Sequence, residues 1–92
     1  MPFVFVIPGA LQAQAGGRSE VRIDGHAKTV ADALSLLWAE CPGLRDRVLT
    51  ERHEIRPHVN VFVDGTNARQ TGLASPVSAN AEIIIVPAVS GG

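Results

Sequence analysis

The chain has 92 residues, 46% of them hydrophobic, which is the size of one domain and enough for a single core without disulfides or a structural metal. Eight basic residues against nine acidic ones leave a formal net charge of -1, so no bulk electrostatic attraction draws the protein to nucleic acid or to an anionic membrane. The single cysteine, Cys41, excludes an internal disulfide and a four-thiolate iron–sulfur or zinc site, and it suits a reducing cytoplasm.

The first apolar run, Phe3 to Ile7, is too short for a signal core, no basic residue precedes Arg18, and no stretch approaches the roughly 20 apolar residues of a membrane span. A cytoplasmic, unprocessed chain is expected. The same run is β-branched and aromatic and is closed by Pro8-Gly9, so it predicts a strand buried on both faces. After a Gly16-Gly17 turn, Ser19 to Ile23 alternates polar and apolar and stops at Asp24-Gly25, as a half-buried hairpin partner does; its charged outer face discourages edge pairing.

Thr29 opens a helix. It can act as N-cap, with Asp32 three residues on in a position resembling a capping box. Val30, Ala33, Leu34, Leu37, Trp38 and Cys41 then form one apolar stripe, and Pro42-Gly43 ends the helix. Leu44 to Glu54 is charged and reads as irregular, with a short helical turn around Arg45 to Leu49. Val59 to Val63 is a strong strand signal with Asp64-Gly65 as the turn after it, and Pro57 is tolerated because it precedes the ladder. Thr66 to Asn80 reads as a loop-rich connection with at most a short bridge near Leu73. Glu82 to Val86 is the last strand, again apolar enough to be buried on both faces, and Pro87 stops it.

The order strand, strand, helix, strand, strand predicts an α+β domain, a mixed four- to five-stranded sheet covered on one face by one main helix. The first and last strands are the most apolar, so they are expected side by side and parallel in the middle, which is the ubiquitin-like β-grasp arrangement. Residues 1–86 form the domain in this reading, and residues 87–92 form a flexible tail ending in Gly-Gly.

A terminal Gly-Gly occurs by chance about once in 200 chains at ordinary glycine frequency, so its context carries the weight. The segment Pro87, Ala88, Val89, Ser90, Gly91, Gly92 has no charged side chain and lies just beyond a strand. Glycines at the end of an arm let its backbone approach catalytic groups inside a narrow channel. The carboxylate such an arm presents is ionised at neutral pH, with an ordinary pKa of about 3.5, and is a poor acyl electrophile. Transfer to AMP makes it a mixed anhydride that a sulfur nucleophile can attack, giving a thiocarboxylate at Gly92.

The tail Val86 to Gly92, with His58-Val59-Asn60-Val61-Phe62-Val63-Asp64-Gly65 upstream, resembles the ThiS/MoaD family of sulfur carriers. Ile7-Pro8 with Leu11, Gly16-Gly17 and the Pro-Ala-Val tail are similar to the branch that delivers sulfur for cysteine biosynthesis, the CysO branch. Ala79-Asn80-Ala81 stands where the family usually has Asp-Gly-Asp or Asp-Gly-Glu, with Asn80 as the left-handed turn residue instead. The resemblance implies a protein that is not an enzyme and binds no cofactor. An E1-like adenylyltransferase and sulfurtransferase spends ATP on Gly92, a sulfur-accepting synthase that is PLP-dependent in the cysteine branch takes the sulfur, and a metal-dependent protease trims the product. Two alternatives stay open: a ubiquitin-like modifier conjugated through Gly92, and the small subunit of a molybdopterin synthase.

Other residues read more plainly. Cys41 and Trp38 belong to the helical stripe and are expected in the core, and His26, His53 and His58 lack metal-ligand spacing. Arg56, Arg69 and the stretch Arg45 to Glu54 read as solvated surface, with partner contact as the alternative. Alternation in the strand Val59 to Val63 puts Phe62 on the face away from the helix, as a candidate partner contact; a satellite cluster beneath 66–80 is the competing assignment.

Overall fold

A computed structural model describes residues 2–87. It runs through β1 (Pro2–Val6), a 3₁₀ helix (Gly9–Ala15), β2 (Glu20–Asp24), α1 (Val30–Glu40), α2 (Pro42–Val48), β3 (Val59–Val63), β4 (Thr66–Asn67), α3 (Ala68–Thr71) and β5 (Glu82–Pro87). The sheet order is β2-β1-β5-β3-β4. β1 and β5 pair in parallel, with Phe5 opposite Ile83 and Val6 opposite Ile84, and every other pairing is antiparallel. The two most apolar strands therefore do lie together and parallel inside the sheet. The fold is the expected α+β β-grasp, with five strands.

α1 forms for the reasons legible in its sequence. Thr29 Oγ1 accepts from the Asp32 amide at 3.2 Å, and Asp32 Oδ2 accepts from the Thr29 amide at 3.3 Å, a complete capping box. Its remaining amides find the loop before β5: Val30 N donates to the Ser75 carbonyl and Ala31 N to the Leu73 carbonyl. Val30, Ala33, Leu34 and Leu37 are buried against the sheet.

Several elements differ from the sequence reading. Pro42 ends α1 but also opens α2, because a proline at the first helical position gives up an amide that has no partner there anyway. The charged stretch after it is helical from Pro42 and buries Leu44 and Val48, one turn apart. The 3₁₀ helix was not expected; it closes on Gly16 and Gly17, both at positive φ, and packs against α2. Thr66 to Asn80 contains β4 and α3, and the isolated bridge in it joins Pro76 to Thr29 rather than falling at Leu73. Asn80 does take the left-handed conformation, at φ 65°.

The largest correction concerns the two central strands. β1 and β5 are not buried on both faces: Phe3, Phe5, Ile83 and Ile85 are buried, whereas Val4, Val6 and Ile84 are only half-buried and Val86 is exposed. The helices all contribute to one core, on one side of the sheet. That core gathers Phe3, Phe5, Ile7, Val21, Leu34, Leu37, Leu44, Val61, Ile83 and Ile85 among others. The other side carries no layer among the described residues.

Candidate functional site

The expected site is the chain end, and its root is well defined. β5 is hydrogen-bonded on both flanks, to β1 and to β3, and its last residue, Pro87, lies opposite Val59. A strand held on two sides fixes the place from which the polypeptide continues to Gly92. Ala88, Val89, Ser90, Gly91 and Gly92, named in the sequence as the working segment, lie outside the described residues.

Beside this root is the open face of the sheet. Strand alternation and register put Phe62 opposite Ile84, and Ile84 opposite Val6, so three apolar side chains cross three strands in one row. Val4 and Val86 extend the patch along β1 and β5. Phe62 is half-buried and stands apart from the core-facing Val59, Val61 and Val63, as its alternation predicts. Its row ends at Asn67 of β4 on one side and Glu20 of β2 on the other. Asn67 Nδ2 donates to Asn60 Oδ1 at 3.3 Å, giving this apolar patch a polar border. Sequence reasoning found Phe62 but missed Val4, Val6, Ile84 and Val86. The signal was available: once one face only has helices over it, alternate residues of every apolar strand must face outward.

Cys41 and Trp38 lie on the core side, as the helical stripe predicts. Cys41 is buried, and its Sγ accepts from Arg18 Nη2 at 3.2 Å. Trp38 is half-buried against the core and lines a hollow of about 180 Å³ with Leu34, Leu49, Leu73, Arg45 and His53. The three histidines are exposed, and no group of three or more histidine, cysteine or acidic side chains among the described residues could hold a metal ion. No helix there is long and apolar enough to cross a membrane.

Comparison with known proteins bears on this geometry. The model of the ThiS family matches residues 5–92, which is nearly the whole chain and includes the diglycine. The chain belongs to the ThiS family. Among curated relatives, small archaeal modifier protein 1 of Haloferax volcanii is 39% identical over 79 residues, covering 85% of this chain and 86% of that one. The sulfur carrier protein CysO of Mycobacterium tuberculosis is 30% identical over 89 residues, covering 94% of each. Among solved structures, the Amycolatopsis orientalis BexX/CysO complex contains a chain that superposes with a TM-score of 0.84 at 26% identity, covering 98% of this chain and 99% of that one. ThiS-family membership makes this protein a ubiquitin-like sulfur carrier or modifier, a family of small carrier proteins rather than catalysts.

Proposed function

We propose that this protein is a sulfur carrier whose Gly92 carboxylate is activated by an E1-like enzyme and then converted to a thiocarboxylate. In the first step a carboxylate oxygen attacks the α-phosphorus of ATP and pyrophosphate leaves. In the second, hydrosulfide attacks the acyl carbon, AMP leaves, and one proton is lost to give –COS⁻. In this scheme the protein holds no cofactor of its own and works in the cytoplasm, where ATP is at hand. The anionic sulfur is a nucleophile, as thiolates are, and passes to a biosynthetic enzyme making cysteine or a thiolated metabolite. The observation that carries the reading is the diglycine at the fourth and fifth residues past a central strand in a chain matched by the ThiS model through residue 92. Phe62, with its row on the open face, is the surface proposed to meet the partner enzymes. Apolar patches of this kind on small proteins are characteristically interaction sites.

The 39% identity to an archaeal modifier favours a second reading, conjugation of Gly92 to lysines of other proteins. It uses the same adenylate with an amine as the acceptor. Lys28 is the single lysine, so chains linked through lysine side chains have one possible site. Incubation with the E1-like enzyme, ATP and sulfide, followed by mass analysis of the C-terminal peptide, separates the readings. Sulfur at Gly92, absent from a Gly92-deleted chain, is the expected result. The C-terminal peptide of this chain joined to partner lysines, with no sulfur at Gly92, would establish the modifier instead.

A further inference from the structure

The end of the sheet from which the chain continues toward Gly92 carries a cluster of arginines. Val59, opposite Pro87, follows closely on Arg56 and His58, and these three line an open hollow of about 500 Å³ with Asp46 and Arg47 of α2. Arg69 reaches the same end from α3. Its Nη2 donates to the Arg56 carbonyl at 2.6 Å and to the Val59 carbonyl, and its Nε donates to Asn60 Oδ1 at 3.5 Å. Arg56 Nε donates to the Asp46 carbonyl at 2.7 Å. All these acceptors are neutral.

Among the described residues none of Arg47, Arg56 and Arg69 is paired with a carboxylate, in contrast to Arg18, Arg22 and Arg45. The acidic side chain in the hollow, Asp46, is already engaged by Arg45 Nη1 at 3.3 Å. Glu51 and Glu54 border the neighbouring hollow with Arg52 and Arg56. At the far end of the sheet, where β5 begins, Asp64 and Glu82 lie together: the Asp64 amide donates to the Glu82 carbonyl at 2.9 Å, and Asp64 Oδ1 accepts from the Glu82 amide at 2.9 Å. A formal net charge of -1 conceals this separation.

Gly92 lies five residues beyond Pro87, and five residues span at most about 18 Å. Any active site that holds the Gly92 carboxylate must therefore bring its own surface within that distance of Pro87, whose partner Val59 shares a hollow with Arg47 and Arg56 and accepts from Arg69. We infer that this cluster is a docking collar for a protein partner that presents carboxylates around the mouth of the channel receiving the tail. The inference rests on the carrier reading and adds the chemistry of the partner's surface. Guanidinium groups suit this task because they keep their charge and form paired hydrogen bonds to carboxylates. Rim charges of this kind act mainly on encounter rate and salt dependence.

The test is ATP–pyrophosphate exchange by the E1-like enzyme, read as the KM for the full-length carrier. The Arg47→Glu/Arg56→Glu variant is expected to raise KM about tenfold with kcat little changed, and to flatten its rise with ionic strength. Lys28→Glu, the same charge change at the opposite end, is expected to leave KM unaltered. Arg47→Glu alone, at an exposed side chain without hydrogen-bond partners among the described residues, guards against loss of Arg56's structural contact and is expected to raise KM about threefold. Exchange with an unchanged KM in both collar variants overturns the collar and leaves the carrier reading standing. No exchange by the wild-type chain with a demonstrably active enzyme overturns the carrier reading, and the collar with it. Equal KM increases for Lys28→Glu show a general charge effect and also overturn the collar.

Discussion

Ile83, Ile84 and Ile85 are identical residues in succession, yet they belong to two different parts of the molecule. Ile83 and Ile85 are 0% and 1% exposed and sit in the core under the helices; Ile84 is half-buried on the open face, between Val6 and Phe62. The two faces of this sheet are made from the same aliphatic and aromatic residue types. What separates them is the layer above: one face supplies most of the free energy of folding, and the other is the surface proposed above to meet partners. Apolar residues on the open face contribute less to stability than those in the core, through cross-strand pairs worth about 0.2–1 kcal/mol each.

The comparison is most directly broken on the covered side. Ile85→Thr keeps β-branching but buries a hydroxyl among Val61 and its neighbours and removes apolar contact. A loss of about 3 kcal/mol is expected in chemical denaturation. On the open side Phe62→Ala is expected to change stability by less than about 1 kcal/mol while raising the activating enzyme's KM for the carrier about tenfold. If Phe62→Ala destabilised the fold as much as Ile85→Thr, the two faces would not be distinct. The covering layer itself can be weakened without touching either face. Thr29→Ala removes the side-chain acceptor for the Asp32 amide and is expected to cost about 1 kcal/mol of stability, with unchanged KM.

Most of the fold was legible because its signals are local. The bounds of β3 were read to the residue, and the capping box at Thr29 and Asp32 and the turn at Asp64-Gly65 announce themselves within four residues. The parallel pairing of β1 with β5 came from composition, since the strands with the most apolar residues are drawn inward. Three things were not legible. The 3₁₀ helix at Gly9–Ala15 and the extent of α2 have short, mixed sequences whose helicity depends on packing against each other. The open face looked like core, because Val4, Val6 and Ile84 are the same residue types as buried ones and are exposed only because no second helical layer is present among the described residues. The arginines were legible only singly, as surface residues with partner contact as the alternative, and not as one cluster. Arg47, Arg56 and Arg69 are separated in sequence, and it takes the register Val59 opposite Pro87 to bring them to the root of the tail. The Gly92 assignment rests on motif and position alone and lies outside the described residues.

The smallest expected effect is at Val86, and it tests the comparison between adjacent residues of one strand. Val86 lies opposite Asn60 and is 37% exposed, at the margin of the patch nearest the tail. Val86→Thr preserves shape and β-branching, and its hydroxyl remains in contact with water, so neither cavity nor desolvation terms apply. Stability is expected to change by less than about 0.5 kcal/mol, against about 3 kcal/mol for the same kind of change at Ile85 next to it. Partner engagement should still respond. A residue at the rim of an apolar contact contributes less than one at its centre, so KM is expected to rise only about twofold, below the effect of Phe62→Ala. A larger effect at Val86 than at Phe62 would move the centre of the contact toward the tail and the arginines, and would make the open face a flank of that site rather than its core.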